Sequence, residues 1–75
     1  MTLIDINISE SAVIDKVNTE KDMRDRLLDM GFVNGERVSL VFKSPLGDPL
    51  AYLVRGAVFA LREEDARHIS ILCGR

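Results

Sequence analysis

The chain has 75 residues, 47% of them apolar, with ten basic and twelve acidic side chains and a formal net charge of −2. That length holds one domain, and that apolar fraction excludes an intrinsically disordered chain. A mixed, slightly acidic surface excludes a general nucleic-acid binder and a polybasic membrane anchor, and no stretch reaches the ~20 apolar residues of a membrane span.

Leu3 to Ile8 alternates apolar and polar residues, with Ile4, Ile6 and Ile8 on one face, and reads as a first strand. Ser9-Glu10-Ser11 reads as a turn, and Ala12 to Val17 as a short strand. A helix is expected from about Glu20 to Met30, with Thr19 as N-cap and Asp22 completing a variant capping box. Met23, Leu27 and Met30 form one apolar stripe that Leu28 widens, and Glu20–Arg24 and Asp22–Arg26 are spaced for ion pairs along the helix. Gly31 stands where a left-handed residue ends a helix, followed by Phe32, which can fold back on Leu27.

After an Asn34-Gly35 turn the chain becomes β. Arg37 to Lys43 is a strand with Val38, Leu40 and Phe42 on one face. Leu50 to Arg55 and Ala57 to Arg62 form a hairpin turning at Gly56. Glu63 to Arg67 is at most one helical turn, and His68 to Cys73 is a last strand with Ile69, Ile71 and Cys73 on one face. So many short strands in one small chain predict a mostly β fold, a small SH3-like barrel with one inserted helix and a short helical turn, spanning residues 1–75 as a single domain.

Catalytic chemistry finds little to work with. His68 is the one histidine and Cys73 the one cysteine. Together with Glu64 and Asp65 they show no established metal-ligand spacing. No nucleophile elbow, phosphate loop or dinucleotide fingerprint is present. Neither an enzyme, nor a cofactor, nor a metal site is expected. A lone cysteine and the absence of a basic, apolar leader at Met1 to Ile6 fit a reducing, cytoplasmic setting.

One segment stands apart. In Ser44-Pro45-Leu46-Gly47-Asp48-Pro49-Leu50 the positions of serine, proline and glycine suit a type I turn, and both prolines stiffen the chain. Such a loop either simply joins two strands or holds Leu46 toward solvent as a pre-organised contact.

Arg26-Leu27-Leu28-Asp29-Met30-Gly31-Phe32-Val33-Asn34-Gly35-Glu36-Arg37-Val38 closely resembles the "RLLDMG…PG…V" segment of the FeoA family, with Asn34 where that family usually has proline. Ser44 to Pro49 resembles its "PLGDP" loop, and Val54-Arg55-Gly56, Ala60-Leu61-Arg62 and Asp65-Ala66 resemble its C-terminal signature. The likeness runs from about Thr2 to Leu72. It implies an SH3-like fold, no enzymatic activity, and a partner in the FeoB-type membrane ferrous-iron transporter. The family's proposed job is to dock on the cytosolic part of that transporter and to modulate its assembly or nucleotide cycle. This would place the protein in the cytoplasm, peripheral to the inner membrane.

On this reading the helix end (Leu27, Leu28, Met30) and the loop (Pro45, Leu46, Gly47, Asp48, Pro49, Leu50) form or support a protein-docking surface. The stripe predicts that Leu27 is buried. The alternative is the regulatory barrel of DtxR-type iron-dependent repressors, which carry a helix-turn-helix and a metal-binding helical domain ahead of it. A eukaryotic SH3-type peptide groove is a third reading, poorly served by Tyr52, Phe32, Phe42 and Phe59 without any tryptophan. The sequence leaves the oligomeric state open.

Overall fold

The first segment folds as a tight turn rather than a strand. The computed structural model, which describes residues 1–72, has a 3-10 turn at Leu3–Asp5. The Thr2 N–H donates to Asp5 Oδ2 at 2.8 Å and the Asp5 N–H donates to the Thr2 carbonyl at 3.0 Å. A repeat of about three residues per turn replaces the alternation of two, so Leu3 and Ile6 enter the core and Ile8 faces solvent. The segment's β pairing among the described residues is limited to single bridges, Thr2 to Ser70 and Ile8 to Leu40.

Five antiparallel strands follow: β1 (Ser11–Val17), β2 (Arg37–Lys43), β3 (Leu50–Val54), β4 (Ala57–Leu61) and β5 (Ile69–Ile71), in the spatial order β4-β3-β2-β1-β5. All five contribute buried side chains or packed neighbours to one core cluster, from Ile14 on β1 to Leu61 on β4 and Ile69 on β5. A sheet whose two edge strands share one core must curl, which is the small barrel that the strand pattern predicts. Helix α1 (Lys21–Met30) is inserted between β1 and β2, and the single turn α2 (Glu63–Ala66) joins β4 to β5. Cys73 lies outside the described residues, and so does its expected place on the last strand.

The helix starts one residue later than Thr19 would set it. Glu20 is the N-cap, and its carboxylate accepts the N–H groups of Asp22 and Met23 at 3.2 Å each. Its negative charge lies at the positive end of the helix, where an anion is favoured. Capping also removes Glu20 from the expected pairing with Arg24. The ion pair along the helix is Lys21–Asp25 at 2.8 Å.

At the other end Gly31 adopts φ 111°, its N–H donates to the Leu28 carbonyl, and the Phe32 N–H donates to the Leu27 carbonyl, both at 3.0 Å. These two bonds are a Schellman motif, with Phe32 buried behind it. A Cβ at Gly31 would sit 2.7 Å from Arg55 Cδ, so the Arg55 stem lies across the helix end.

Regular alternation puts Phe42 in the core beside Leu40, but the strand does not alternate there. Leu40 pairs with Tyr52 and Phe42 with the next residue, Ala51, so Val41 is an extra residue bulged out of β2. The phase flips, and Phe42 emerges on the outer face, 54% exposed. The β3–β4 hairpin forms as expected, but Arg55 leaves the strand to share the turn with Gly56, the two taking positive φ of 53° and 81°.

Tyr52 sits at the centre of β3, fully buried, and its hydroxyl donates to the Leu3 carbonyl at 3.0 Å. Burial, reinforced by the negative charge of Glu63, holds its pKa well above the usual tyrosine value. The folded state therefore keeps a proton that an unfolded chain releases above pH about 10. Stability from this source is full below that pH and declines as pH rises beyond it. Urea unfolding at neutral and alkaline pH should show Tyr52→Phe about 1–2 kcal/mol less stable at neutrality, from the orphaned Leu3 carbonyl. The variant should also lose part of the alkaline decline. Gly31→Ala forces a side chain into positive φ and against Arg55, and thermal melts should show a loss of about 1–3 kcal/mol.

Candidate docking surface

The β2–β3 loop is built to hold its shape. The Gly47 N–H donates to the Ser44 carbonyl at 2.7 Å, closing the turn that the serine, proline and glycine pattern predicts. The Ser44 N–H donates to the Pro49 carbonyl at 3.1 Å and ties the two arms together. Asp48 reaches further: its Oδ1 accepts the Glu63 N–H at 2.9 Å, capping the start of α2, where the N-cap residue Arg62 offers no side-chain acceptor. Pro45 and Pro49 are exposed, Gly47 is half-buried, and Leu46 at the tip is 94% exposed.

The segments named from the sequence divide into supporting and presented residues. Leu27 and Leu50 belong to the core and can only support a surface. Met30 packs against the core from its rim, while Leu28 stays exposed on the helix. The helix end and the loop do not meet. Gly31 packs beside Val54 and Arg55, at the far end of β3 from the loop. Along a strand rising roughly 3.3 Å per residue, Leu50 and Val54 stand about 13 Å apart.

What the sequence reading missed is the outer face of β2, β3 and β4. Phe42, Ala51 and Ala60 form one cross-strand row, and Ser39, Leu53 and Val58 form the next. Phe42, Leu53 and Val58 are all exposed. The first of these rows lies one residue pair from the loop, since Lys43 and Leu50 close the ladder there. One sequence signal was available for this face. All five residues of β4 are apolar, so its outward positions had to be apolar too. The bulge that exposes Phe42 leaves no comparable trace.

His68 is exposed, and among the described residues no group of three His, Cys, Asp or Glu side chains could hold a metal ion. No helix among them is long and apolar enough to cross a membrane.

The comparisons with known proteins bear on the family and the fold. The FeoA domain model matches residues 1–72. The chain belongs to the FeoA family. It is 37% identical over 71 residues to a ferrous-iron transport protein A/FeoB transporter fusion protein of Porphyromonas gingivalis, covering 95% of this chain but 8% of that protein. The solution structure of iron(II) transport protein A from Clostridium thermocellum superposes with a TM-score of 0.90 at 30% identity, over 95% of this chain and 44% of that one. The crystal structure of Stenotrophomonas maltophilia FeoA, a prokaryotic SH3 domain protein solved as a zinc complex, gives 0.84 at 36% identity, over 95% and 88% of the two chains. A manganese-dependent transcriptional repressor shares the fold alone, with a TM-score of 0.84 at 11% identity over 96% of this chain and 40% of that one. The SH3-like barrel is thus the fold of this FeoA-family chain, and its family works in ferrous-iron transport.

The Asp48 bond makes a direct expectation for the loop. Asp48→Ala removes the cap of α2 and should cost about 0.5–2 kcal/mol in chemical denaturation, whereas Asp48→Asn keeps an acceptor and should cost less.

Proposed function

We propose that this FeoA-family chain is a non-enzymatic accessory of ferrous-iron uptake that docks on the cytosolic part of a FeoB-type transporter. There it modulates the transporter's assembly or nucleotide cycle. The observation that carries this reading is the Porphyromonas gingivalis relative, in which a segment matching this chain is joined to the transporter in one polypeptide. Covalent joining raises the effective concentration of one module at the other, a benefit only where the two meet. Where the chains are separate, the contact must be made by an exposed surface that loses little entropy on binding. The Pro45–Leu50 loop offers one, with its backbone closed on itself, Asp48 anchored to α2, and Leu46 projecting. Leu46 is the anchor in this reading, Phe42 and Leu28 are neighbouring and remote apolar contacts, and Leu27 and Leu50 hold the backbone from within.

The repressor reading has the shared barrel in its favour and nothing beyond it. Calorimetry of the purified chain against the cytosolic nucleotide-binding part of the transporter, with and without guanine nucleotide, tests the proposal. Leu46→Ala should weaken binding by about tenfold, as expected for removing a buried leucine anchor, with the melting temperature unchanged. Wild-type binding that Leu46→Ala leaves intact would remove the loop from the interface. No binding under either condition would sink the docking itself.

A further inference from the structure

The sheet has two edges, and they are treated differently. On β5 the N-terminal segment covers the edge: Thr2 bridges Ser70, and the Ile71 N–H donates to the Met1 carbonyl at 2.9 Å. On β4 nothing among the described residues does so, and its backbone pairs with β3 alone. Exposed edges are ordinarily blunted by lysine, proline or another charge. The edge Ala57-Val58-Phe59-Ala60-Leu61 carries none of these.

The register says which backbone groups are free. Val54 and Ala57 flank a two-residue turn, and such a pair exchanges hydrogen bonds. Alternation then gives bonded pairs at Tyr52–Phe59 and Leu50–Leu61, and turns the N–H and C=O groups of Val58 and Ala60 toward the open edge. These outward groups are placed symmetrically about Phe59.

We propose that β4 pairs antiparallel with β4 of a second copy of this chain, about a two-fold axis at Phe59. Val58 of one copy then exchanges both hydrogen bonds with Ala60 of the other, and Ala60 does so with Val58, so all the free groups at these positions are satisfied. Charge selects the same register. An antiparallel match centred on Phe59 brings the Arg55-Gly56 turn at one end of β4 toward the start of α2 in the second copy, where Glu63 and Glu64 lie, and does so twice. The stem of Arg55 is packed against Gly31, but its guanidinium can respond, because the side chain is 60% exposed and its contact with Glu36 is a loose 3.6 Å. The outer-face rows also become continuous, with Phe42, Ala51 and Ala60 of one copy running into Val58 and Leu53 of the other. A short strand pair of this kind gives a weak, reversible dimer. The inference is independent of docking on the transporter.

Sedimentation equilibrium across the micromolar to millimolar range, in reducing buffer to exclude a Cys73 disulfide, tests it. The wild type should show a reversible monomer–dimer equilibrium. Val58→Pro removes an outward donor without touching the bonds to β3, and should be monomeric with an unchanged circular-dichroism spectrum. Ala60→Lys serves the same purpose should the proline variant not fold. Arg55→Glu and Glu63→Arg should each weaken the dimer about tenfold, since each change occurs twice, and the double variant should recover most of the loss. A wild type that is monomeric throughout, including one that accepts only a strand from another protein, overturns the proposal. So does dimerisation that the edge variants leave unchanged, or a double variant that recovers nothing.

Discussion

The bond from the Tyr52 hydroxyl to the Leu3 carbonyl fixes the rest of the barrel in place. It joins the middle of β3 to the first turn of the chain across the core, with both residues fully buried. Alone, a 3-10 turn of three residues has little reason to persist. Held by Tyr52 on one side and by its own Thr2–Asp5 bonds on the other, it delivers Leu3 and Ile6 to the core and brings Thr2 alongside β5. A phenylalanine would fill the same space without making that attachment. A polar group has been placed in an otherwise apolar interior, and its partner is a backbone carbonyl that would be costly to leave alone.

The same economy explains which parts of the fold could be read from the residues. Helix α1, its Schellman end at Gly31, the Arg55-Gly56 hairpin and the closed Pro45–Gly47 turn are local events. The residues that make them are neighbours in sequence, and they follow the chemistry of caps and turns. The start of α1, at Glu20 rather than Thr19, was misread locally, and the larger errors came where a distant contact contributed. Ile4, Ile6 and Ile8 alternate as a strand does, yet the reach of Tyr52 and the Asp5 carboxylate favour a turn. Phe42 sits at the correct spacing for the core, yet the bulge at Val41 turns it outward. Of the candidate surface, Leu46 was legible because proline and glycine punctuate it. The separation of the helix end from the loop was not, since it depends on the length of β3 and on where Arg55 lies.

Arg55 illustrates how closely turn chemistry and packing are linked in so small a molecule. It takes a positive φ that arginine seldom adopts, and this closes the hairpin beside Gly56. Its stem then occupies the space that the glycine at the end of α1 leaves open, and its guanidinium reaches Glu36. Helix end, hairpin and the start of β2 thus meet on one side chain. Changes at Gly31 and Arg55 should not add independently, because the two positions share one volume.

The covered edge at β5 also has a meaning in time. β1 and β5 come from far apart in the chain, as Asn18 and Ser70, 52 positions apart, show by their side-chain hydrogen bond. Closing so long a loop is entropically expensive until many contacts reward it together, whereas β2, β3 and β4 are successive hairpins. The meander can therefore assemble early, while β5 and the Leu3–Asp5 turn arrive late and as a pair. On that ordering the pairing of β5 with β1 closes the longest loop of any strand pair in the sheet and carries the largest entropic cost among them.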